Sequence, residues 1–452
     1  MTMTAPAGTS PPPSPRSPLT RALALIAEVK PEETSSAFLL TLDSFLLLAS
    51  YYFLKVIREP LILAVPGGAE LKSYATAALA VLLIGVFYAY RAVAKRVGRM
   101  RLITLTKLFC VGCLLLFSLL GRLGVPLGVP FYLWVGCYSL TIIAQFWSFA
   151  NDVYTPAQGK RLFALVGLGS SIGAVVGAKI AGLLVKPLGV FNMMLVPAVV
   201  LLICLALLRV VNRWSIDQHR DGAAEAEKPP GGAGGASMIF QDRYLLLMAA
   251  LILLLNLVNT NGEYILDKTM NASIEGLDEA ARGVFIGEFK SSYFTWANAV
   301  GVILQLFFVS RIFKYLDVRG ALLIYPLLAL LSYGSISFFP LFALVRVAKI
   351  GENSIDYSIY NTAKQALYLP TSREVKYVAK QAIDTFVVRA GDLVSGGLVG
   401  LGVYLSLAPQ HFAMMNVALC LVWLGVVVLI GREHRKKSEE ARLLAEAAGK
   451  DQ

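Results

Sequence analysis

Apolar runs of about 20 residues, the length an α-helix needs to cross a bilayer, recur twelve times between residues 37 and 430. Inside hydrocarbon the backbone must satisfy its own hydrogen bonds, which leaves helices or closed barrels. Runs this long and continuous, without period-two alternation, select helices. The composition agrees: 57% of the 452 residues are hydrophobic and 15% are charged, against about 25% charged in soluble domains. The expectation is an all-α membrane protein with twelve transmembrane helices.

The net charge of +12 would suggest nucleic acid in a soluble protein, but its placement argues otherwise. With the N-terminus cytoplasmic, inner segments hold 28 of the 41 Lys and Arg and outer segments hold 6. That bias is the positive-inside pattern with both termini cytoplasmic, so no nucleic-acid partner is expected. Ala5 to Pro18 is rich in Pro and Ser, and Leu23 to Ile26 is too short for a signal-peptide core. A disordered tail without a cleaved leader is predicted there, followed by an interfacial amphipathic segment at Leu19–Lys30. Cys110 and Cys113 form a C-x-x-C inside an apolar run without further ligands, and His219, His411 and His434 are scattered. No metal site and no cofactor are expected.

The chain divides into a segment over 1–36, a six-helix half over 37–211, a cytoplasmic linker over 212–243, a second six-helix half over 244–431 and a tail over 432–452. The linker centres on Lys228-Pro-Pro-Gly-Gly-Ala-Gly-Gly-Ala236, a flexible composition. Asp267 to Lys290 is read as the longest external loop. Gly169, Gly173 and Gly177 are spaced by four within the fifth apolar run. No strand precedes them and no Gly-Lys-Ser/Thr follows, so close helix packing explains them better than a phosphate loop. The halves repeat: Tyr154-Thr-Pro156 with Lys160-Arg161 falls where Tyr368-Leu-Pro370 with Arg373 and Lys376 falls, and Gly173–Ala178 matches Gly391–Gly396. Two six-span repeats about a cytoplasmic linker are a major facilitator-like layout, with a site between the halves near the midplane.

Charges inside the spans mark that site, since an ionisable residue in a spanning helix faces a bundle interior or a watery cavity. The tenth run is the most charged. At 100° per residue Arg346, Lys349, Asn353, Asp356, Tyr357, Tyr360 and Lys364 share one arc, with Glu352 beside them. In the first run Tyr51, Lys55 and Arg58 share a face, with Glu59 next to it. The seventh run carries Asn256, Asn259 and Glu263, the eleventh Asp384, Arg389 and Asp392, and the fourth ends at Asn151. Lys55, Arg58, Arg346, Lys349, Asn353, Lys364 and Arg389 are the substrate-binding candidates. Glu59, Glu263, Glu352, Asp356, Asp384 and Asp392 are candidates for coupling or ion pairing. Tyr51, Asn151, Asn256, Asn259, Tyr357 and Tyr360 are secondary polar candidates. A cationic patch in a low-dielectric cavity suits a multiply charged anion, and the acids would pair with the cations when the site is empty.

Four stretches carry a family resemblance: Tyr51-Tyr-Phe-Leu-Lys-Val-Ile-Arg-Glu-Pro-Leu61, Phe146-Trp-Ser-Phe-Ala-Asn-Asp152, Gly159-Lys-Arg-Leu-Phe-Ala-Leu-Val-Gly-Leu-Gly169, and Tyr357-Ser-Ile-Tyr-Asn-Thr-Ala-Lys-Gln-Ala-Leu-Tyr-Leu-Pro370 with Lys380-Gln-Ala-Ile-Asp384. In these the chain resembles the nucleotide (ATP/ADP) transporters of plastids and obligate intracellular bacteria, and their relatives in free-living bacteria. The resemblance implies exchange of nucleoside di- and triphosphates across a bacterial inner membrane. It also implies that Arg58 stands where those exchangers have a lysine and that Lys364 matches a lysine of the tenth-span motif. The chain departs from the pattern at Asn259, where the exchangers carry an acid, and at Arg389-Ala-Gly-Asp392, where they have Gly-Lys. The expected function is a secondary carrier for ATP, ADP or a similar organic anion, working by alternating access. The alternatives are a proton-coupled carrier of another solute, with Glu263, Asp356 or Asp392 as proton site, and a membrane scaffold. No nucleophile or acid/base constellation points to an enzyme.

Overall fold

The computed structural model describes residues 28–218, 235–372, 375 and 379–448. The amphipathic segment up to Ala27, linker residues 219–234, Arg373, Lys376 and the last four residues lie outside the described residues. Among those described there is no β-strand.

The first group of long helices comprises α1 (Thr34–Leu63), α2 (Gly68–Ala94), α3 (Arg99–Arg122), α4 (Gly128–Val153), α5 (Pro156–Met193) and α6 (Leu195–Gln218). The second comprises α7 (Arg243–Ser273), α8 (Glu279–Ile303), α9 (Val309–Phe338), α10 (Phe342–Ile355), α11 (Val388–Tyr404) and α12 (Pro409–Ala448). Among the described residues, π-helical turns interrupt the α-helical ladder at Leu304–Phe308 after α8, at Asp356–Tyr360 after α10 and at Ile383–Val387 before α11. On length and apolar composition ten helices among the described residues qualify to cross a membrane. Two features separate that count from the expected twelve. One apolar run of 60 residues, Glu279–Phe338, holds both α8 and α9 and breaks at Asp317, where φ is 58°. The other is α10, which runs for 14 residues before the π-turn at Asp356 and carries Arg346, Lys349 and Glu352.

Local chemistry sets the boundaries. Thr155 and Gln158 form a reciprocal capping box at the start of α5, with Pro156 in its first turn. Pro187 and a left-handed Gly189 (φ 67°) break the same helix near its far end.

The six-helix groups pack with one pattern repeated at an offset of six. In the first, α1 lies on α4, α5 and α6, and α3 on α6; in the second, α7 lies on α10, α11 and α12, and α9 on α12. The groups meet through α5 against α8 and α2 against α11, with α1 also touching α8. The glycine spacing works as expected: a methyl added at Gly169, Gly173 or Gly177 would overlap the carbonyl oxygen of Thr41, Phe45 or Ala49 on α1. The loop expected over residues 267–290 is shorter than that. Asp267 and Lys268 belong to α7 and Lys290 to α8, because Asp267, Thr269 and Met270 are buried and extend the helix past its apolar run.

Candidate functional site

Four charges from four helices interlock between the two groups. Glu59 of α1, Lys72 of α2, Asp267 of α7 and Lys290 of α8 are each at most 8% exposed. The Lys72 ammonium donates to Glu59 at 2.6 Å and to Asp267 at 2.7 Å. Lys290 pairs with Asp267 at 2.5 Å and stands 3.7 Å from Glu59 and 3.8 Å from Glu263. Arg58 donates to the other oxygen of Glu59 at 3.0 Å. Three cations (Arg58, Lys72, Lys290) thus balance three carboxylates (Glu59, Glu263, Asp267), which is what keeps so many buried charges tolerable. A further layer, Glu70 against Lys268 and Tyr264, links α2 to α7 at the same end, and the Asn271 amide donates to the Leu63 carbonyl.

The network continues inward. The Tyr293 hydroxyl donates to Glu263 at 2.5 Å, and the Asn353 amide donates to Tyr293 at 2.5 Å and to Glu263 at 3.3 Å. Lys349, fully buried, donates to the Asn259 side chain at 2.8 Å and to Glu352 at 3.1 Å, and Tyr333 donates to the same Glu352 oxygen at 2.9 Å. Gly262 makes room here, since a methyl at that position would meet the Tyr333 hydroxyl and the Lys349 ammonium.

Two pairs stand apart and more open. Arg389 donates to Asp392 at 2.7 Å, and Asn256 holds the other carboxylate oxygen at 2.9 Å and the Val388 carbonyl at 2.8 Å, tying α7 to α11. Lys364 lies 3.5 Å from Asp356. The side chains of Arg58, Lys364 and Arg389 retain 12%, 21% and 25% of their exposure, so solvent or an anion reaches them. Lys55 forms no ion pair with a described residue. It sits 4.3 Å from the ring centre of Phe294 and 5.2 Å from that of Tyr52, attractions worth about 0.5–2 kcal/mol. Tyr51 packs edge-on against Tyr52, whose hydroxyl lies beside Asn298 and Tyr357.

The structure therefore brings Arg58, Glu59, Glu263 and Asn353 into one network. Lys349, Asn259 and Glu352 adjoin it, and Arg389, Asp392 and Asn256 join in a second group. Four expected positions are corrected. Arg346 points away from Lys349, into a groove beside Trp296, Phe342, Val347 and Ile350, where it reaches Ser292 at 3.1 Å and lies over Phe289. Trp296 is about 200° around α8 from Phe294, which faces α1, so this groove is on the outside of the bundle. Tyr360 is fully buried against Tyr325 and accepts a hydrogen bond from Trp423. The π-turn at Asp356–Tyr360 delays the phase and turns the Tyr360 hydroxyl into the core, while its ring stays 5.6 Å from the Lys364 ammonium. The same delay brings Lys364 round to Asp356. Asn151 is exposed at the end of α4 beside Asp152, and Asp384 is exposed in the π-turn before α11, where it faces Lys380 and Lys364 and takes no part in the Glu59–Lys72–Asp267–Lys290 network.

Sequence reasoning missed Lys72, Asp267 and Lys290 by assigning them to loops. The signal was present: Asp267 follows Glu263 by one helical turn, and Lys290 precedes Tyr293 by three residues. Inside the first group, Asp43 and Lys107 are buried, and neither the Asp43 carboxylate nor the Lys107 ammonium has a hydrogen-bond partner among the described residues. All five cysteines are free.

Residues 131–351 match the TLC ATP/ADP transporter family. The ADP,ATP carrier protein 1 of Chlamydia muridarum (strain MoPn / Nigg) is 23% identical over 330 residues, which are 63% of this chain and 61% of that carrier. The matched stretch thus spans less than two thirds of the chlamydial relative. The ADP,ATP carrier protein 5 of Rickettsia bellii (strain RML369-C) is 23% identical over 357 residues, covering 65% of this chain and 67% of that protein. Among solved structures, the nucleoside transporter NupG superposes with a TM-score of 0.61 at 11% identity, covering 89% of this chain and 98% of that one. The POT family transporter PepTSo gives 0.61 at 12%, covering 88% and 98%. The chain is an integral membrane protein related to the TLC ATP/ADP transporters and built on the major facilitator fold.

Proposed function

We propose that this protein is a secondary transporter that exchanges ATP, ADP or a closely similar phosphorylated nucleotide by alternating access. The observation that carries the reading is the distribution of contacts between the two six-helix groups. Every ion pair that joins them, among the described residues, lies at one end, between Glu59, Glu70 or Lys72 and Asp267, Lys268 or Lys290. Deeper in the bundle the groups touch through neutral contacts, Ser291 donating to the Ala178 carbonyl and the Tyr52 hydroxyl lying beside Asn298 and Tyr357. In this reading the groups are the two halves of the carrier, crossing the bilayer six times each. The latched end is external, and the end bearing Arg91, Lys95, Arg96 and Arg101 is cytoplasmic by its positive charge. A nucleotide entering from the unlatched end meets Lys55, Arg58, Lys364 and Arg389, of which Lys364 and Arg389 each hold an acid of their own helix segment. Phosphate oxygens displace those acids from their cations, with arginine offering a bidentate fork. Tyr51 and Tyr357 then flank the path as surfaces for the base.

The test is counter-exchange in proteoliposomes loaded with unlabelled ADP, following entry of labelled ATP. Uptake that requires internal nucleotide, falls sharply in Lys349→Ala and shows a raised KM in Arg389→Ala supports the reading. Absence of uptake for ATP, ADP and GTP by folded protein overturns it.

A further inference from the structure

At the basic end of the first six-helix group, α3 and α6 leave an open groove of about 420 Å³ between them. Arg101, Thr104 and Leu105 line it from α3, and Arg209, Asn212 and Arg213 from α6. None of its three arginines forms an ion pair with a described residue. The acid at this end of α4, Asp152, is taken by Arg99 at 3.0 Å, and Arg99 also holds the Asn212 side-chain oxygen at 2.9 Å.

The three arginines are exposed, so their repulsion is modest, and an anion between them would turn it into attraction. Arg209 and Arg213 are four residues apart on one helix, a spacing at which like charges repel, and Arg101 adds a third cation across the groove. Topology alone does not call for this, because the positive-inside bias depends on how many cations flank the spans and not on their meeting at one point. The surroundings are those of a membrane interface: Leu105 at the groove wall is 54% exposed, and Trp214 next to Arg213 is 42% exposed. We propose that this groove binds the phosphate headgroup of an anionic phospholipid. The three guanidinium groups grip the phosphate and an acyl chain runs past Leu105. Guanidinium forks match phosphate oxygens bidentately, and basic pockets between spanning helices hold acidic headgroups. A neighbouring basic groove, lined by Tyr88, Arg91, Ala92, Lys95 and Arg96, is built from one helix end alone and has no facing wall. It serves as an internal control.

The experiment is native mass spectrometry of the full chain released from nanodiscs of mixed phosphatidylglycerol and phosphatidylcholine. Wild type retains phosphatidylglycerol selectively. The triple variant Arg101→Gln/Arg209→Gln/Arg213→Gln weakens that retention by about a hundredfold, at roughly fivefold per arginine. The triple variant Arg91→Gln/Lys95→Gln/Arg96→Gln removes the same charge and leaves retention within about twofold, since the field falls off within a Debye length. Equal losses in both triples, or no loss in the first, overturn the proposal, as does displacement of the lipid by added ATP. Should the first triple fail to fold, Arg209→Gln alone and the thermal unfolding of wild type in either lipid carry the test. Phosphatidylglycerol then raises the midpoint of wild type and not of the single variant.

Discussion

The two ends of this molecule are held by different kinds of contact. At one, Glu59, Lys72, Asp267 and Lys290 come from four helices and bind the two six-helix groups to each other. At the other, the ion pairs of the described residues stay within a group. Arg161 grips Glu33 at 2.8 Å, Arg99 grips Asp152, and Lys437 grips Asp242 at 2.9 Å. In the proposed carrier, ionic contacts suit a latch that opens during the cycle. Burying charges costs solvation that their mutual attraction only partly exceeds, so the closed pairs and the hydrated, separated charges differ little in free energy. An apolar seam of the same area would stay shut. Within each group, ion pairs such as Arg389–Asp392 are joined by long apolar and backbone-close seams, as where Gly173 meets the Phe45 carbonyl, and these hold the group as a unit.

The contrast can be broken most directly at Lys290. Lys290→Met leaves Glu59 and Asp267 short of a buried partner, a loss of about 3–5 kcal/mol, so the thermal midpoint falls and thiol labelling of single cysteines at the latched end rises. Unchanged labelling would show that the latch is not what closes this end. Lys349→Ala ranks next: Glu352 is left buried with Tyr333 as its one remaining donor, and exchange is expected to drop by about a hundredfold, as for other buried charge partners. Arg389→Ala is milder because Asp392 keeps Asn256 and the site is partly open. The apparent affinity should weaken about tenfold, some 1.4 kcal/mol, read as KM with kcat nearly kept. Arg346→Ala sharpens the comparison from the outside of the bundle, with exchange expected within about twofold of wild type, as for surface changes of up to 0.5 kcal/mol. A severe loss would return Arg346 to the cargo path. Smallest of all, Arg161→Ala should leave transport and labelling at the latched end unaltered, since its Glu33 partner lies in the same group.

Much of this architecture was legible in the chain. Apolar run length gave the helices, and the Gly169/Gly173/Gly177 spacing gave the close approach of α5. The charges within runs gave Lys349, Glu263, Arg389 and Asp392, because an ion in an apolar helix needs a partner or water wherever that helix goes. The misplaced residues share one cause: their position depends on neighbours that the chain does not bring near in sequence. Lys290 looks like a loop residue until Asp267, Glu59 and Glu263 surround it. Tyr360 looks like part of the charged stripe until a π-turn shifts its phase.

Hydrophobicity and charge are properties of each residue and its near neighbours, so the sequence by itself determined the membrane helices, their order and which of them carry buried charge. Which cation meets which acid was decided only by tertiary packing. Coulomb attraction between buried groups depends on distances across helices, and those are set by how α1, α2, α7 and α8 come together.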